Sequence, residues 1–241
     1  MASDAQIRTG SFRDIRELIS RATPVMAEPR DSYLDSRREI VAPQGPIAIF
    51  ATWPTGGGHV EAMPGDEFVC VLSGALTITT GQAEVSLPVD SSGVIPGGIA
   101  FDWTAEPGTV AVIMRSTSGP VAKGEPLLID ESAPLNPSNP PVAELLIGET
   151  PSCRSFSDFK SVSGEFSCGT WDSTPYHRKP MLFGHCELMH ILDGAVTFSD
   201  QDGRVGTFGK GSIVLLEHGG ELGWKSDVYV KKVFSHFRAA T

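Results

Sequence analysis

The chain has 241 residues, of which 40% are hydrophobic and 20% are charged, and its formal net charge is −10. This balance is typical of a soluble globular protein, and the length suffices for two domains of roughly 100 residues each. Because the chain is acidic and its sequence contains no basic cluster, we expect neither nucleic acid nor an anionic membrane surface as a partner.

One amphipathic helix is predicted near the N-terminus, within an arm that covers residues 1–45. Apolar side chains recur on one stripe, and Ser11 with Asp14 resembles a capping box, so the pattern predicts a helix over 11–22. Mixed signals over 23–44 predict a loop with an edge strand. The N-terminal residues lack the apolar core of a signal peptide, and no segment approaches 18 apolar residues, which predicts a cytoplasmic protein.

From residue 46 onward the sequence consists of short β-branched and aromatic runs separated by Gly, Pro and Asp. Strands at such spacing predict an all-β sandwich or barrel. The pattern divides the chain into a first barrel over 46–117 and a second barrel over 152–241. Between them, residues 118–151 contain seven prolines and are predicted to connect the two barrels.

The two halves repeat one arrangement of residues. The first half has Trp53, His59, Glu67, Gly74, Pro96, Gly98 and Trp103. The second half has Trp171, His177, Glu187, Gly194, Glu217, Gly219 and Trp224. Three intervals have the same length in both copies: from the first Trp to the His, from the first Glu to the Gly, and from Pro96 or Glu217 to the last Trp. A repeat of this length indicates two copies of one domain.

These residues resemble the cupin pattern. Its first motif ends in a Glu followed seven positions later by a Gly, as in both halves, and its second motif contains Pro-x-Gly-x-x-His. Here that metal-binding His is replaced by Phe101 and Leu222. The chain is similar to a ligand-poor branch that includes ethanolamine-utilisation Q-like proteins and the barrels of ureidoglycine aminohydrolase. The resemblance implies an all-β bicupin, with two tandem double-stranded β-helix (jelly-roll) barrels and a short N-terminal helix.

The resemblance also implies where a metal ion would bind. Cupin metals take imidazoles and a carboxylate from strands that face the barrel interior. The first half offers His59, Glu61 and Glu67, and the second half offers His177, His185 and Glu187. We therefore expect either no cofactor or one divalent metal ion, with the first set favoured. The alternative is an apolar interior without a metal ion.

Each half places one glutamate among apolar side chains of a strand, Glu67 in the first and Glu187 in the second. A buried carboxylate is costly to ionise unless it is paired. The last strand of each half offers a cation, which is Arg115 in the first half and Lys231 or Lys232 in the second. Two interpretations follow: an ion pair that closes the barrel, or a carboxylate with a raised pKa that transfers protons.

Strand alternation also assigns the neighbours of Glu187. Cys186 faces away from His185 and Glu187, so we predict a packing residue rather than a nucleophile. His190 also alternates away from Glu187 and is predicted at an interface between sheets or protomers. The four cysteines lack the close spacing of a zinc motif and are predicted to be reduced.

The leading hypothesis is a bicupin that acts on a small organic metabolite by acid–base chemistry, as a lyase, isomerase or hydrolase, with a metal ion optional. The predicted catalytic residues are His177, Arg178, His185, Glu187 and Lys232. Arg178 would hold a carboxylate or phosphate, His177 would move a proton, and Glu187 would assist with Lys232 as its partner. The alternative is a non-catalytic binding or scaffold protein, and a dioxygenase ranks third. A homodimer is also expected.

Overall fold

The structure is a computed structural model that describes residues 11–25, 32–121 and 124–240. Helices in this part are α1 (Ile15–Arg21), α2 (Ser32–Asp35) and a 3₁₀ turn over Ala143–Leu145. The strands up to the connector are β1 Phe12–Asp14, β2 Arg37–Gln44, β3 Ile47–Thr52, β4 Gly56–Val60, β5 Asp66–Ser73, β6 Ala75–Thr79, β7 Glu84–Pro88, β8 Ser92–Ile95, β9 Phe101–Ala105 and β10 Val110–Ser116. The later strands are β11 Leu127–Leu128, β12 Asn136–Ser138, β13 Leu146–Ile147, β14 Cys153–Lys160, β15 Phe166–Ser173, β16 Tyr176–Leu182, β17 Cys186–Asp193, β18 Ala195–Asp200, β19 Val205–Gly209, β20 Ile213–Leu216, β21 Glu221–Ser226 and β22 Val230–Phe237.

The strands form two barrels, each made of a larger and a smaller antiparallel sheet. In the first barrel the orders are β11-β8-β5-β10-β3-β2 and β4-β9-β6-β7. In the second they are β1-β20-β17-β22-β15-β14-β12 and β13-β16-β21-β18-β19. Each barrel buries its own apolar core, because alternate side chains of every strand point inward. The predicted all-β tandem-barrel fold is confirmed, and β2 is an edge strand as expected.

A third apolar cluster joins the two larger sheets, which pack face to face. β5 and β17 occupy equivalent positions of the repeat, and Cys70 lies 120 residues before His190, the same interval that separates Glu67 from Glu187. The Cys70 Sγ and His190 Nδ1 atoms are 3.9 Å apart. The two larger sheets therefore meet at equivalent positions of the repeat. The prediction that His190 lies between sheets is confirmed.

The N-terminal helix is shorter than predicted. It begins at Ile15, and the Asp14 Oδ1 atom caps it by accepting a hydrogen bond of 3.0 Å from the Glu17 amide. The preceding residues form β1, which pairs with the free edge of β20 so that Phe12 lies opposite Leu216. The predicted capping role of Ser11 is wrong, because its hydroxyl donates to Asp200 Oδ2 at 2.9 Å. The backbone of this segment satisfies a sheet edge, which outweighs its helical pattern.

The Pro-rich segment over 118–151 contributes strands to both barrels. β11 pairs with β8 of the first barrel, whereas β12 and β13 pair with β14 and β16 of the second. The segment therefore covers sheet edges as well as connecting the halves. No helix in the described part of the chain has the length and apolar character needed to cross a bilayer. The homodimer and the cytoplasmic location stay predictions.

The glycine that ends each Glu-to-Gly motif is required by the hairpin it forms. Gly74 has φ +69° and Gly194 has φ +74°, in the left-handed region that favours glycine. A Cβ atom at Gly194 would also overlap the carbonyl oxygen of Tyr229. The motif that identifies the family is thus a requirement of backbone geometry and not of chemistry.

Candidate functional site

The buried glutamate inside the first barrel is bound by two arginine side chains. Glu67 is 0% exposed, and its carboxylate accepts hydrogen bonds from Arg115 Nε at 2.6 Å and from Arg37 Nη2 at 3.0 Å. The predicted pairing with Arg115 is confirmed. Arg37 was missed, because it belongs to the arm and reaches the barrel from outside the repeat. The two guanidinium groups donate three hydrogen bonds to the Glu67 carboxylate, which has about four acceptor positions.

Tyr33 fills the remaining space beside Glu67. Its ring lies at 5.5 Å from Phe101 and 5.8 Å from Trp103, and the Arg37 guanidinium lies 4.6 Å above it. Burial raises the pKa of the Tyr33 phenol well above its usual range, so the hydroxyl stays protonated and can donate to Glu67 Oε2 at 3.5 Å. In the sequence, the only feature that points to the packing of the Tyr33 ring inside the barrel is its spacing of four residues from Arg37.

The metal ligands predicted for the first barrel are not brought together. His59 lies on the outer surface, with Nδ1 at 2.8 Å from Asp102 Oδ1 and Nε2 at 3.9 Å from Glu61 Oε1. Glu67 points inward and is bound by arginines. Among the described residues, no group of three His, Cys, Asp or Glu side chains is arranged to hold a metal ion. The donor set therefore does not fit the metal ion that the resemblance implies.

The second barrel holds a different ion pair. The Glu187 Oε1 atom accepts a hydrogen bond of 2.6 Å from Lys232 Nζ, which confirms Lys232 as its partner. Lys231 points elsewhere and donates to the Glu131 carbonyl at 2.7 Å. The Lys232 ammonium also lies 4.9 Å from the ring of Trp171. A buried ammonium between a carboxylate and aromatic rings is electrostatically favourable.

The hypothesis of a raised pKa at Glu187 is wrong. Burial alone raises the pKa of this carboxyl, but the Lys232 ammonium and the His185 hydrogen bond outweigh burial and hold the pKa below its usual range. Glu187 is therefore ionised at neutral pH and acts as an acceptor. It can fix Lys232 in its charged form, but it does not supply a proton.

Two imidazoles flank the carboxylate of Glu187. His185 Nε2 lies 3.4 Å from Glu187 Oε2, and His185 Nδ1 lies 3.2 Å from Arg238 Nη2. Because arginine can only donate, Nδ1 accepts the hydrogen bond from Arg238, and Nε2 donates to Glu187. Burial lowers the pKa of His236 to about 4, so that ring is neutral at pH 7. His236 lies opposite Glu187 on the paired strand, where Arg115 lies opposite Glu67 in the first barrel. Sequence reasoning missed His236.

Arg178 also faces the interior of the second barrel. It is 9% exposed, and its Nη2 atom donates to the Leu222 carbonyl at 3.2 Å. Burial lowers the pKa of Arg178, but a guanidinium stays charged at neutral pH. The register of β16 shifts just after this residue, where the strand contains Pro180. Such bulges re-aim side chains next to binding sites.

His177 does not join this group. Adjacent strand residues point to opposite faces, and here Arg178 takes the inner face. The His177 ring lies on the surface, with Nε2 at 2.9 Å from Asp227 Oδ1. Of the five predicted residues, His185, Glu187 and Lys232 are therefore in contact, and Arg178 lies near enough for the charge of Glu187 to raise its pKa against the effect of burial.

Comparison with solved structures gives the family. A protein of unknown function from Pseudomonas syringae pv. tomato, described as a DUF861 family member, is 31% identical over 89% of this chain and 92% of its own, with a TM-score of 0.82. Residues 160–234 match the EutQ-like cupin domain family. The chain belongs to the DUF861 family of cupins. The curated proteins contain no match to this cupin.

Two further cupin structures share the fold at low identity. A dioxygenase candidate from Nostoc punctiforme is 15% identical over 99% of this chain and 86% of its own, with a TM-score of 0.59. A candidate glyoxylate-induced protein from Pseudomonas aeruginosa is 14% identical over 98% of this chain and 92% of its own, with a TM-score of 0.56. Such identities establish a common architecture and no shared activity.

The two barrels of this cupin differ at the positions that carry charge. Opposite Trp103 on the neighbouring strand lies Gly58, whereas opposite Trp224 lies Arg178. The second barrel therefore has a cation at a position that is glycine in the first. The candidate site is the interior of the second barrel.

Proposed function

We propose that the second barrel is the working barrel of this cupin and that it acts on a small organic metabolite by acid–base chemistry. The observation that carries the proposal is the grouping of an ammonium, a carboxylate and two imidazoles, with a buried guanidinium near enough for the carboxylate to raise its pKa against the effect of burial. Groups of this kind can give and take protons in a site with little water. The first barrel has no comparable group, because two arginines and Tyr33 occupy its carboxylate.

Each residue has a distinct role in this proposal. Arg178 anchors the metabolite, and the Lys232 ammonium donates a proton to the site where negative charge develops. His236 is neutral at pH 7 and accepts the proton that leaves the metabolite. Glu187 stays ionised and keeps Lys232 charged, while His185 fixes the orientation of Glu187. The reaction class is that of a lyase, isomerase or hydrolase that needs paired proton transfers.

The test is proton exchange with solvent. The protein is incubated in D₂O with lactate, pyruvate, propionate and malonate, and the loss of each C–H signal is followed by ¹H NMR. We expect exchange on at least one acid, lost in Lys232→Met and His236→Asn. Lys231→Met is the matched control and should retain it, because its ammonium contacts only the Glu131 carbonyl in the described structure. Exchange that persists in Lys232→Met would contradict the proposed chemistry.

One observation favours a second candidate, a non-catalytic binding protein. Both Glu187 oxygens already have partners, Lys232 on one and His185 on the other, so the pair is stable without moving protons. Calorimetric binding of an acid without any proton exchange would identify this function. The two candidates use the same residues and differ only in turnover.

A further inference from the structure

Four buried carboxylates of the second barrel each have a basic side chain as partner. The ion pairs are Asp172 with Arg154 at 2.6 Å, Asp200 with Arg204 at 2.7 Å, Glu217 with Arg13 at 3.2 Å, and Glu187 with Lys232 at 2.6 Å. Arg178 is different. Among the described residues, no carboxylate lies within ion-pair distance of its guanidinium, and its one recorded acceptor is the Leu222 carbonyl.

A guanidinium carries five N–H donors, and one of those of Arg178 is accounted for by Leu222. Burial lowers the pKa of Arg178 more than the nearby charge of Glu187 raises it. A buried cation without a hydrogen-bonded counter-ion is unfavourable, because the interior screens charge far less than water does. The planar fork of arginine matches a carboxylate, which can accept two parallel hydrogen bonds from it. The free donors of Arg178 therefore form a ready binding point for a carboxylate.

The charges inside the barrel fix how many negative charges a ligand should bring. Arg178 and Lys232 are positive, Glu187 is negative, His236 is neutral, and His185 adds no charge because its Nδ1 atom accepts from Arg238 and only Nε2 carries a proton. The interior therefore carries one net positive charge. Arg238 lies at the exposed end of the group, where water screens its charge.

We propose that the second barrel binds a small monocarboxylate, held by the free donors of Arg178, in preference to neutral or doubly charged molecules. The inference deepens the proposed function and rests on it, since both use the same residues. One negative charge neutralises the interior, whereas none leaves Arg178 unpaired and two leave an excess anion in a low-dielectric site.

Aromatic rings define the surroundings of the bound acid. Trp224 lies opposite Arg178 in the sheet, and its ring is 5.5 Å from Lys232 Nζ. Tyr176 stacks on Trp224 at 5.4 Å, and Trp171 lies 5.8 Å from it. One indole therefore lies beside both cations. This arrangement favours an acid whose body is short and either apolar or unsaturated, since such a body packs against aromatic faces.

The experiment uses isothermal titration calorimetry with three probes of similar size and different charge at neutral pH: propionamide, propionate and malonate. In the unmodified protein, propionate should bind at least about tenfold more tightly than either of the others. Arg178→Met should remove the preference of propionate over propionamide. Lys179→Met is the matched control, because it removes an exposed positive charge from the next position of the same strand and should preserve the preference.

Glu187→Gln provides a test that loss of folding cannot imitate. It raises the net charge of the interior from one to two, so malonate should now bind more tightly than propionate. Equal binding of propionate and propionamide, a preference of the unmodified protein for malonate, or no binding of any probe at millimolar concentration would each overturn the inference. Charge selectivity without proton exchange would leave the inference intact and remove the acid–base function. Proton exchange on a neutral molecule would leave the acid–base function intact and overturn the inference.

Discussion

Replacing Tyr33 by alanine tests whether the N-terminal arm is part of the first barrel. The side chain is fully buried against Phe101 and Trp103, and deletion of a buried aromatic ring destabilises a protein by about 3–5 kcal/mol. Loss of the cation–π contact between the Tyr33 ring and the Arg37 guanidinium adds about 0.5–2 kcal/mol to this cost. We therefore expect Tyr33→Ala to lower the free energy of unfolding by about 3.5–7 kcal/mol, a large part of the total stability of an ordinary domain.

The assay is urea unfolding followed by tryptophan fluorescence. Tyr33→Phe should cost less than about 1 kcal/mol, because the hydroxyl makes a single long hydrogen bond to Glu67. Phe156→Ala removes an exposed ring of the second barrel and should also cost about 1 kcal/mol or less. If Tyr33→Ala lowered stability no more than Phe156→Ala does, the arm would not fill the barrel and the assignment of a closed first barrel would be refuted.

The same variant allows a second measurement. Removal of the side chain leaves a space with the shape of a substituted phenol beside Glu67 and Arg37. Added p-cresol should bind there and restore stability by about 2.7 kcal/mol at one hundred times its dissociation constant. The unmodified protein should show no such gain, because Tyr33 already occupies the space.

Three further predictions concern the backbone, the buried imidazole and the thiols. Gly194→Ala should lower the free energy of unfolding by more than about 2 kcal/mol, whereas Gly203→Ala should cost only about 1–2 kcal/mol, because both have positive φ but only the first has no room for a Cβ atom. Burial lowers the pKa of His236 from 6.5 to about 4, so the unfolded chain binds this proton first, and stability falls by up to about 3 kcal/mol as pH drops from 6.5 to 4. His236→Gln should flatten that slope in urea titrations, and an unchanged slope would exclude His236 as its origin. Burial raises the pKa of Cys70 and of Cys186 to about 12, so a thiol reagent such as DTNB should label them only after denaturation, and rapid labelling of the native protein would contradict their burial.

Strand alternation allowed several parts of the structure to be predicted from sequence. The repeated Glu-to-Gly interval identified the two barrels, because the hairpin admits only glycine at that point. Alternation also predicted that Cys186 and His190 face away from Glu187. In the structure, Cys186 belongs to the apolar cluster between the larger sheets, and His190 makes a contact between those sheets. These inferences depend on local geometry, which follows from the order of the residues along a strand or hairpin.

Contacts between distant segments could not be predicted in this way. Tyr33 and Arg37 come from a segment with no period, and they reach Glu67 from 30 or more residues away. Alternation shows that His177 and Arg178 point to opposite faces, but it does not show which of them faces inward. That choice depends on the register of β16 against β21, which is set by the whole barrel.

The two barrels keep one glutamate at the same position and change what surrounds it. In the first, Glu67 binds two guanidinium groups, and the position opposite Trp103 is Gly58. In the second, Glu187 binds the Lys232 ammonium and His185, and no carboxylate of the described structure lies within ion-pair distance of Arg178. Both interiors contain two basic side chains and one carboxylate. Only their arrangement differs: when both cations bind the same glutamate the charge is saturated and the barrel is closed, whereas separation of the cations leaves one of them to bind a ligand. Under the proposal made above, the second barrel keeps a binding site that the first has lost, without any difference in net charge between them.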